Sequence, residues 1–297
     1  MSTKRPLHAK VLDFFADTYR SLRFFYHYIK EKNIYGNYRY PYTETHKGES
    51  VYILANGPSL NEEINEIFSN GKYLKDVLVV NFFLESDLFT KIRPKYYCLA
   101  DPRFNKKNKL TERTKGVFKD LNELVDWPMS LFVWNQAVDM ISEYISNPNI
   151  KIIGLSILKF EGFENKRYKY YAKGTAVPSY VNVTIMAIYA MLNLGYSTIY
   201  LYGVDHTFLN SLIVGDDNVL YVEDKHFYGV KRVVAEYHLD GTPWTVAEFI
   251  FDKYLTFVEH EIMRGYADYL GAQIINCTKD SWIDAYVRKA QLEKRLE

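Results

Sequence analysis

The sequence predicts an α/β fold, a doubly wound and mainly parallel sheet preceded by a helical extension. Three observations carry that prediction. From Glu49 onward, short apolar runs alternate with segments of helical periodicity, the pattern of a parallel sheet covered on both faces. Val51-Tyr52-Ile53-Leu54-Ala55 is an unbroken apolar run that stops at Asn56-Gly57-Pro58, as a buried strand does when it enters a tight loop and a helix. Four strand candidates also hand over directly to a polar residue: Asn56, Asn81, Asp101 and the pair Asp205-His206. In a parallel sheet those carboxyl ends form one rim.

The elements follow in order. Residues 1–47 carry eight Lys and Arg against three acids up to Tyr40. Leu12, Phe15, Tyr19, Leu22, Tyr26 and Ile29 recur at helical spacing, widened by Phe14, Phe24 and Phe25. Lys10, Arg20, Arg23, Lys30 and Lys32 supply the charge. A basic amphipathic helix of this kind suits either an anionic membrane surface or packing on the core or a second subunit. Residues 48–297 form the second unit. Strands are expected at 51–55, 77–80, 96–100, 131–134, 151–154, 198–203 and 273–277. Helices are expected at 61–70, 179–194, 245–270 and 282–295, with Ser59 or Asn61 as the first cap and Gly195 and Gly271 as stops. The stretch 159–174 reads as polar and rich in Tyr and Lys. Residues 207–243 read as an irregular lid with a turn at Gly215-Asp216-Asp217-Asn218.

Composition narrows the function classes. At 297 residues, 48% of them apolar, the chain can bury one large α/β core. The 27 Tyr and 18 Phe suit an aromatic core and a carbohydrate-facing surface, though an AT-rich coding bias gives the same composition. A net charge of +1 leaves no electrostatic footprint for nucleic acid. No apolar run reaches the length of a membrane span, and the N-terminus lacks a signal-peptide core. A cytoplasmic location follows, at the inner face of the membrane if the basic helix binds lipid. Cys98 and Cys277 sit in strand-like contexts and read as reduced thiols. No Cys/His spacing marks a zinc site.

The loop Asn56, Gly57, Pro58, Ser59 offers backbone N–H groups at a helix N-terminus, a phosphate-binding geometry, although a plain strand-to-helix turn has the same local pattern. Each strand-end Asn or Asp alone is an ordinary loop cap; their joint occurrence is what suggests a site. Seven histidines supply acid/base candidates near neutral pH. His8 and His27 fall on the first helix and His260 in mid-helix, all in structural positions. His206 follows a strand, while His226 and His238 fall in the lid. Tyr221 and Tyr228 flank His226, where their hydroxyls could hold a phosphate leaving group.

Together these residues resemble the bacterial CMP-sialic-acid-dependent sialyltransferases of the small, single-Rossmann-domain type, and the related domains of motility accessory factors. Ala55-Asn56-Gly57-Pro58-Ser59-Leu60 is similar to that family's opening motif, with Ala in place of its first Gly. Asn81 matches a nucleotide-contacting Asn. Leu194 to Asp205 looks like the family's Leu-Gly-Tyr, strand and Gly-Ile-Asp series. His226-Phe227-Tyr228-Gly229 looks like its lid segment, and Asn276 to Ala285 like its closing strand and loop. The resemblance covers roughly residues 50–290. Asp101 stands where the family has an Asn. Val230 stands where it has the catalytic His, so the base role shifts to His226, His206 or His238. The family's helix-start Ser-Gly pair is replaced near Asn182 and Thr184.

The resemblance implies a Rossmann-like glycosyltransferase moving a sialic-acid-like sugar from a CMP donor to a glycan or glycolipid acceptor in surface polysaccharide synthesis. No Asp-x-Asp metal motif stands in a convincing loop, and Asp216-Asp217 reads as a turn, so catalysis is expected without a divalent ion and with no cofactor beyond the donor. His226 would be general base; Asp205 or Asp101 is available as nucleophile for a retaining route. Two other readings stay open: an ATP-dependent pterin-type pyrophosphokinase, and a non-catalytic scaffold in polysaccharide assembly. A homo-oligomer is compatible with all three.

Overall fold

The computed structural model describes residues 7–35, 39–69, 75–226, 229–238 and 240–293, with side chains described at 11–34, 39–64, 75–222, 232–238 and 240–292. The chain opens with α1 (Leu7–Tyr35). β1 (Ser50–Leu54) leads into α2 (Leu60–Ser69), and β2 (Val77–Val80) into a 3-10 turn and α3 (Leu88–Ile92). β3 (Tyr96–Cys98) is followed by α4 (Pro102–Asn105) and α5 (Glu112–Leu124), and β4 (Met129–Trp134) by α6 (Val138–Tyr144). After β5 (Ile150–Leu155), α7 (Glu164–Ala172) and α8 (Val183–Asn193) return the chain to β6 (Thr198–Tyr202). β7 (Leu212–Val214), β8 (Leu220–His226) and β9 (Gly229–Val234) form a separate antiparallel sheet. Then come α9 (Val246–Leu270), β10 (Gln273–Asn276), β11 (Val287–Arg288) and α10 (Lys289–Glu293).

The main sheet has the order β11-β10-β6-β1-β2-β3-β4-β5, and every neighbouring pair is parallel. Strands β1 to β5 step outward on one side, while β6, β10 and β11 build the other, so the winding reverses between β1 and β6. Those two strands are in full register from Ser50 opposite Thr198 to Leu54 opposite Tyr202, and their carboxyl ends stop level. Loops leaving such a reversal diverge and open a crevice. This is the predicted doubly wound fold.

The strands' two-residue period sorts side chains into two cores. Val51, Ile53, Leu78, Val80, Cys98, Phe132, Ile199 and Leu201 face α8 and α9. Leu54, Val77, Val79, Tyr97, Leu131 and Val133 face the α5 and α6 side. With both faces buried, the strands read as continuous apolar runs. Helix α8 is buried from Thr184 to Asn193. Its one strongly polar buried group, Asn193, donates to the Tyr40 and Tyr171 carbonyls at 2.6 and 3.1 Å and accepts from the Tyr266 hydroxyl at 2.5 Å. Helix α9 starts in a Thr245–Glu248 capping box and stops at Gly271, whose φ of 70° suits glycine, as the sequence predicts.

Three expectations are corrected. The stretch 159–174 is not merely a polar segment; it contains α7, whose Tyr171 is buried against α8 and α9. Its apolar face is tyrosine, which aliphatic periodicity does not reveal. Residues 207–243 are not irregular: they hold the β7–β8–β9 sheet, with the turn at 215–218 closing the first hairpin. Residues 282–295 are not one helix. Arg288 donates to the Thr278 carbonyl at 2.8 Å and to that of Ser281, and β11 pairs with β10 before α10 begins. Tertiary anchoring there overrides a helical pattern.

At the amino-terminal edge of the sheet, Asp76 accepts from Lys95 at 3.0 Å and from the Tyr196 hydroxyl at 2.6 Å. His46 stacks on Tyr196 at 4.2 Å, its Nδ1 2.6 Å from Glu49. His46, Glu49 and Asp76 could together ligate a metal ion. The Asp76 oxygens already have cationic and phenolic partners, so the cluster reads as a structural network. Among the described residues no helix is long and apolar enough to cross a membrane.

Candidate functional site

The crevice at the strand reversal is a cavity of about 430 Å³. Its floor is the loops after β1, β2 and β6: Asn56, Gly57, Asn81, Asp205 and His206. The first turn of α8 supplies Asn182 and Thr184. The small sheet supplies Val222 and Val233, and α9 supplies Phe249 and Lys253. The predicted lid is therefore one wall of the cavity. Val222 and Val233 face each other across β8 and β9; their neighbour Tyr221 points to the other face by strand alternation.

Glycine at position 57 is what lets β1 and β6 close together. A Cβ there would sit 1.8 Å from Asp205 Oδ2 and 2.4 Å from the Gly203 carbonyl oxygen. The Gly57 N–H donates to that carbonyl at 2.8 Å. Ser59 donates its N–H to Asp205 Oδ1 at 3.2 Å and its hydroxyl to Oδ2 at 2.9 Å. Ser59 stands at the start of α2, its carbonyl accepting the Glu63 N–H at 3.1 Å, and Asp205 reaches this turn from another strand. The phosphate cradle expected of this loop is corrected: the N–H groups of Gly57 and Ser59 are used within the protein, and a carboxylate sits at the helix's positive end. Burial raises the Asp205 pKa, partly offset by the bonds from Ser59.

Asn56 donates to the Val80 carbonyl at 3.2 Å, bridging β1 and β2, and its buried Oδ1 has no partner. Asn81 has φ 45°, a left-handed conformation that Asn tolerates better than most residues. Its Oδ1 accepts the Ala100 N–H at 3.2 Å, and its carbonyl accepts from the Tyr97 hydroxyl. Thr184 is 3% exposed, at the cavity wall. Lys253, paired with Asp252 at 2.9 Å, lies over the Phe208 and Phe249 rings at 4.8 Å each. It is the only Lys or Arg among the described residues lining the cavity.

His206, also in the left-handed region with φ 52°, borders the cavity. Its Nε2 lies 3.0 Å from His260 Nε2 and 3.3 Å from Asn182 Nδ2. Burial, helped by the Lys253 ammonium, pushes its pKa down to about 3. His260 is fully buried and its pKa is also lowered, by burial and by His206.

Other predicted residues lie elsewhere. Asp101 caps α4, accepting the Arg103 N–H at 2.8 Å, and its carboxylate is held by the Arg103 side chain at 2.7–3.1 Å. It does not line the cavity. The Tyr221 hydroxyl donates to Asp217 at 2.7 Å, under the Arg232 guanidinium, and is likewise outside the lining. His238 is close to Glu248, at 3.4 Å. The side chain of His226 and the whole of Tyr228 lie outside the described residues. Sequence reasoning missed Asn182 as a site residue in its own right, Lys253, and the His206–His260 contact. The last two depend on α9 crossing the sheet reversal, which no local pattern records.

No family model matches the sequence, and no curated protein does. Among solved structures the chain is similar to a MAf glycosyltransferase from Magnetospirillum magneticum AMB-1, with 16% identity and a TM-score of 0.49 over 84% of this chain. The match covers 35% of that structure, so this chain spans about a third of its length.

Proposed function

We propose that this protein is a glycosyltransferase that binds a CMP-linked acidic sugar in the cavity at the strand reversal and transfers it to a glycan or glycolipid. The observation that carries the reading is the convergence of Asn56, Asn81, Asn182, His206 and Lys253 on one cavity. Asn56, Asn81 and Asn182 all line the cavity, and amides can read a base edge or a ribose. Lys253 supplies positive charge for a phosphoryl group or the sugar's carboxylate.

In this scheme the acceptor oxygen bonds to the anomeric carbon as the bond to the CMP phosphate breaks. The acceptor's proton passes to a base, and the departing phosphate keeps the electron pair. Lys253 stabilises that charge. We assign the base role to His226 at the end of β8, with inversion as the result. Asp205 is assigned to holding the β1–β6 junction, because both its oxygens accept bonds from Ser59.

Calorimetric titration with CMP, CDP, UDP, GDP and ATP tests the reading. Cytidine nucleotides should bind best, without a divalent ion. ATP outcompeting CMP in the presence of magnesium would point to a pyrophosphokinase; a folded protein that binds none of them would point to a scaffold. EDTA should leave transfer unchanged. His226→Ala should cut transfer by on the order of 100-fold or more while CMP still binds.

The reading extends to α1. Leu12, Phe15, Tyr19, Leu22, Tyr26 and Ile29 are all 59–66% exposed. Lys30 and Lys32 lie on the same helix, whose inner side packs through Phe24 on Phe160 and Tyr170. An exposed aromatic stripe beside lysines suits the interface of an anionic bilayer, where a glycolipid acceptor would be found. The full chain should co-sediment with phosphatidylglycerol vesicles and a chain lacking residues 1–47 should not; equal binding would end the membrane role.

A further inference from the structure

The deep wall of the cavity holds a hydrogen-bonded chain whose proton positions can be worked out. Asn182 caps α8: its Oδ1 accepts the Ile185 N–H at 3.0 Å. That bond fixes the amide's orientation, so Nδ2 is the atom facing His206 Nε2 at 3.3 Å. An amide nitrogen only donates, so His206 Nε2 must accept and carries no proton. His260 Nε2, 3.0 Å from the same atom, is then the donor. With its proton on Nε2, His260 has a bare Nδ1, which accepts the Tyr286 hydroxyl at 2.8 Å. Each polar atom in the chain has one consistent role. The opposite assignment would set the His206 N–H against the Asn182 N–H.

The neutral His206 ring therefore carries its proton on Nδ1. Its Nε2 lone pair is taken up by two donors, so the ring has no free basic nitrogen. That removes His206 as a general base and leaves an N–H donor on a ring bordering the cavity. His260 and Tyr286 are 0% and 5% exposed, so the chain behind His206 is closed to water. The charged groups near the ring are the Lys253 ammonium on α9 and the adjoining Asp205 carboxylate, which is turned to Ser59. The left-handed backbone at His206 is a further cost tolerated where the ring must be aimed.

We propose that His206 is a neutral Nδ1–H donor to an anionic oxygen in the cavity, held in that tautomer by Asn182 and by His260 backed by Tyr286. His260 and Asn182 are positioning residues; His206 touches the ligand. The tautomer stands on geometry alone, whereas naming the anion as the nucleotide's phosphoryl group rests on the function proposed above. A neutral imidazole fits this task because its proton does not depart in mild acid or base, so the donor persists across the physiological pH range.

Long-range proton–nitrogen correlation spectra of the full chain labelled with 15N-histidine read the tautomer directly. At pH 7, His206 should show a protonated Nδ1 and a bare Nε2, unchanged down to pH 5. A protonated Nε2, or a titration near pH 6.5, overturns the assignment. Inorganic phosphate, CMP and cytidine are then added in turn. The His206 Nδ1–H resonance should move with phosphate and with CMP but not with cytidine. Movement with phosphate alone keeps the anion donor while refuting the nucleotide reading; movement with neither, or equally with cytidine, overturns the anion assignment. His260→Phe removes one of the two donors to His206 Nε2, so the Nε2–H tautomer should become populated in the same spectra and the affinity for whichever anion binds should fall. His260→Gln, which keeps a donor, should restore the Nδ1–H form. An unchanged Nδ1–H signal in His260→Phe, with its fold intact by circular dichroism, would refute the positioning role.

Discussion

At the scale of single residues, the cavity floor depends on two side-chain sizes. Gly57 has no Cβ because Asp205 and the Gly203 carbonyl occupy that space. Both are held by bonds to the same loop, so neither moves freely. Gly57→Ala should therefore lower unfolding free energy by about 2 kcal/mol or more in urea titrations, in the range seen for overpacking a rigid site. Asn81 is a different case, since its left-handed φ of 45° suits glycine as well as asparagine. Asn81→Gly should fit the backbone but lose the amide and its bond from the buried Ala100 N–H, at a cost of about 1–3 kcal/mol of stability. CMP affinity should fall about tenfold, equivalent to roughly 1.4 kcal/mol. An unchanged affinity would remove Asn81 from the ligand contacts. The sequence makes both positions visible as strand-end motifs. It does not make visible that the carboxylate facing Gly57 comes from Asp205, 148 residues further along the chain.

At the scale of elements, α9 carries the widest range of consequences. Its first turns present Phe249 and Lys253 to the cavity. Further along, Glu259 sits beside a second cleft with Arg20, Lys159, Glu161 and Arg167, and accepts the Ser179 N–H at 3.2 Å. Burial raises the Glu259 pKa from 4.5 to about 7, with Arg167 and Lys159 opposing the shift. A carboxyl whose pKa rises on folding binds more protons in the native state. Its contribution is then fully present below about pH 4.5 and is lost as pH climbs to about 7. Glu259→Gln keeps an acceptor for Ser179 and removes the titration. Urea midpoints of the two proteins should separate between pH 4.5 and 7, with the variant the more stable at pH 8. Helix α9 was legible because a long helical pattern runs from Thr245 up to a terminal glycine. The small β7–β8–β9 sheet was not, because its strands alternate short apolar and charged positions that a turn-rich segment shares.

At the scale of the whole molecule, the sheet separates structure from chemistry. Its carboxyl edge holds the cavity, and its amino edge holds the Asp76, Lys95, Tyr196 and His46 network. The bonds to Asp76 from Tyr196 and Lys95 outweigh its burial and lower its pKa, so its stabilising effect is lost as pH falls below the usual carboxylate range. Asp76→Ala should cost on the order of 2 kcal/mol, the scale of hydrogen bonds to a charged group, and should leave CMP affinity unchanged. A loss of binding in the folded variant would mean that the two edges are coupled through the strands.

The sequence by itself determined the layer architecture, because two-sided burial forces continuous apolar strands and amphipathic helices that can be read residue by residue. It also marked Asn56, Asn81, Asp205 and His206 as strand-end groups, because polar residues directly after apolar runs have few other places to be. Tertiary structure decided which of these share a cavity, and why Asp101 and Tyr221 do not: local partners, Arg103 and Asp217, already satisfy them. It alone set the proton on His206, since that depends on Asn182, His260 and Tyr286 arriving from three separate segments. Local periodicity records which face a residue takes within its own element; the strand order and the crossing of α9 determine which groups meet there.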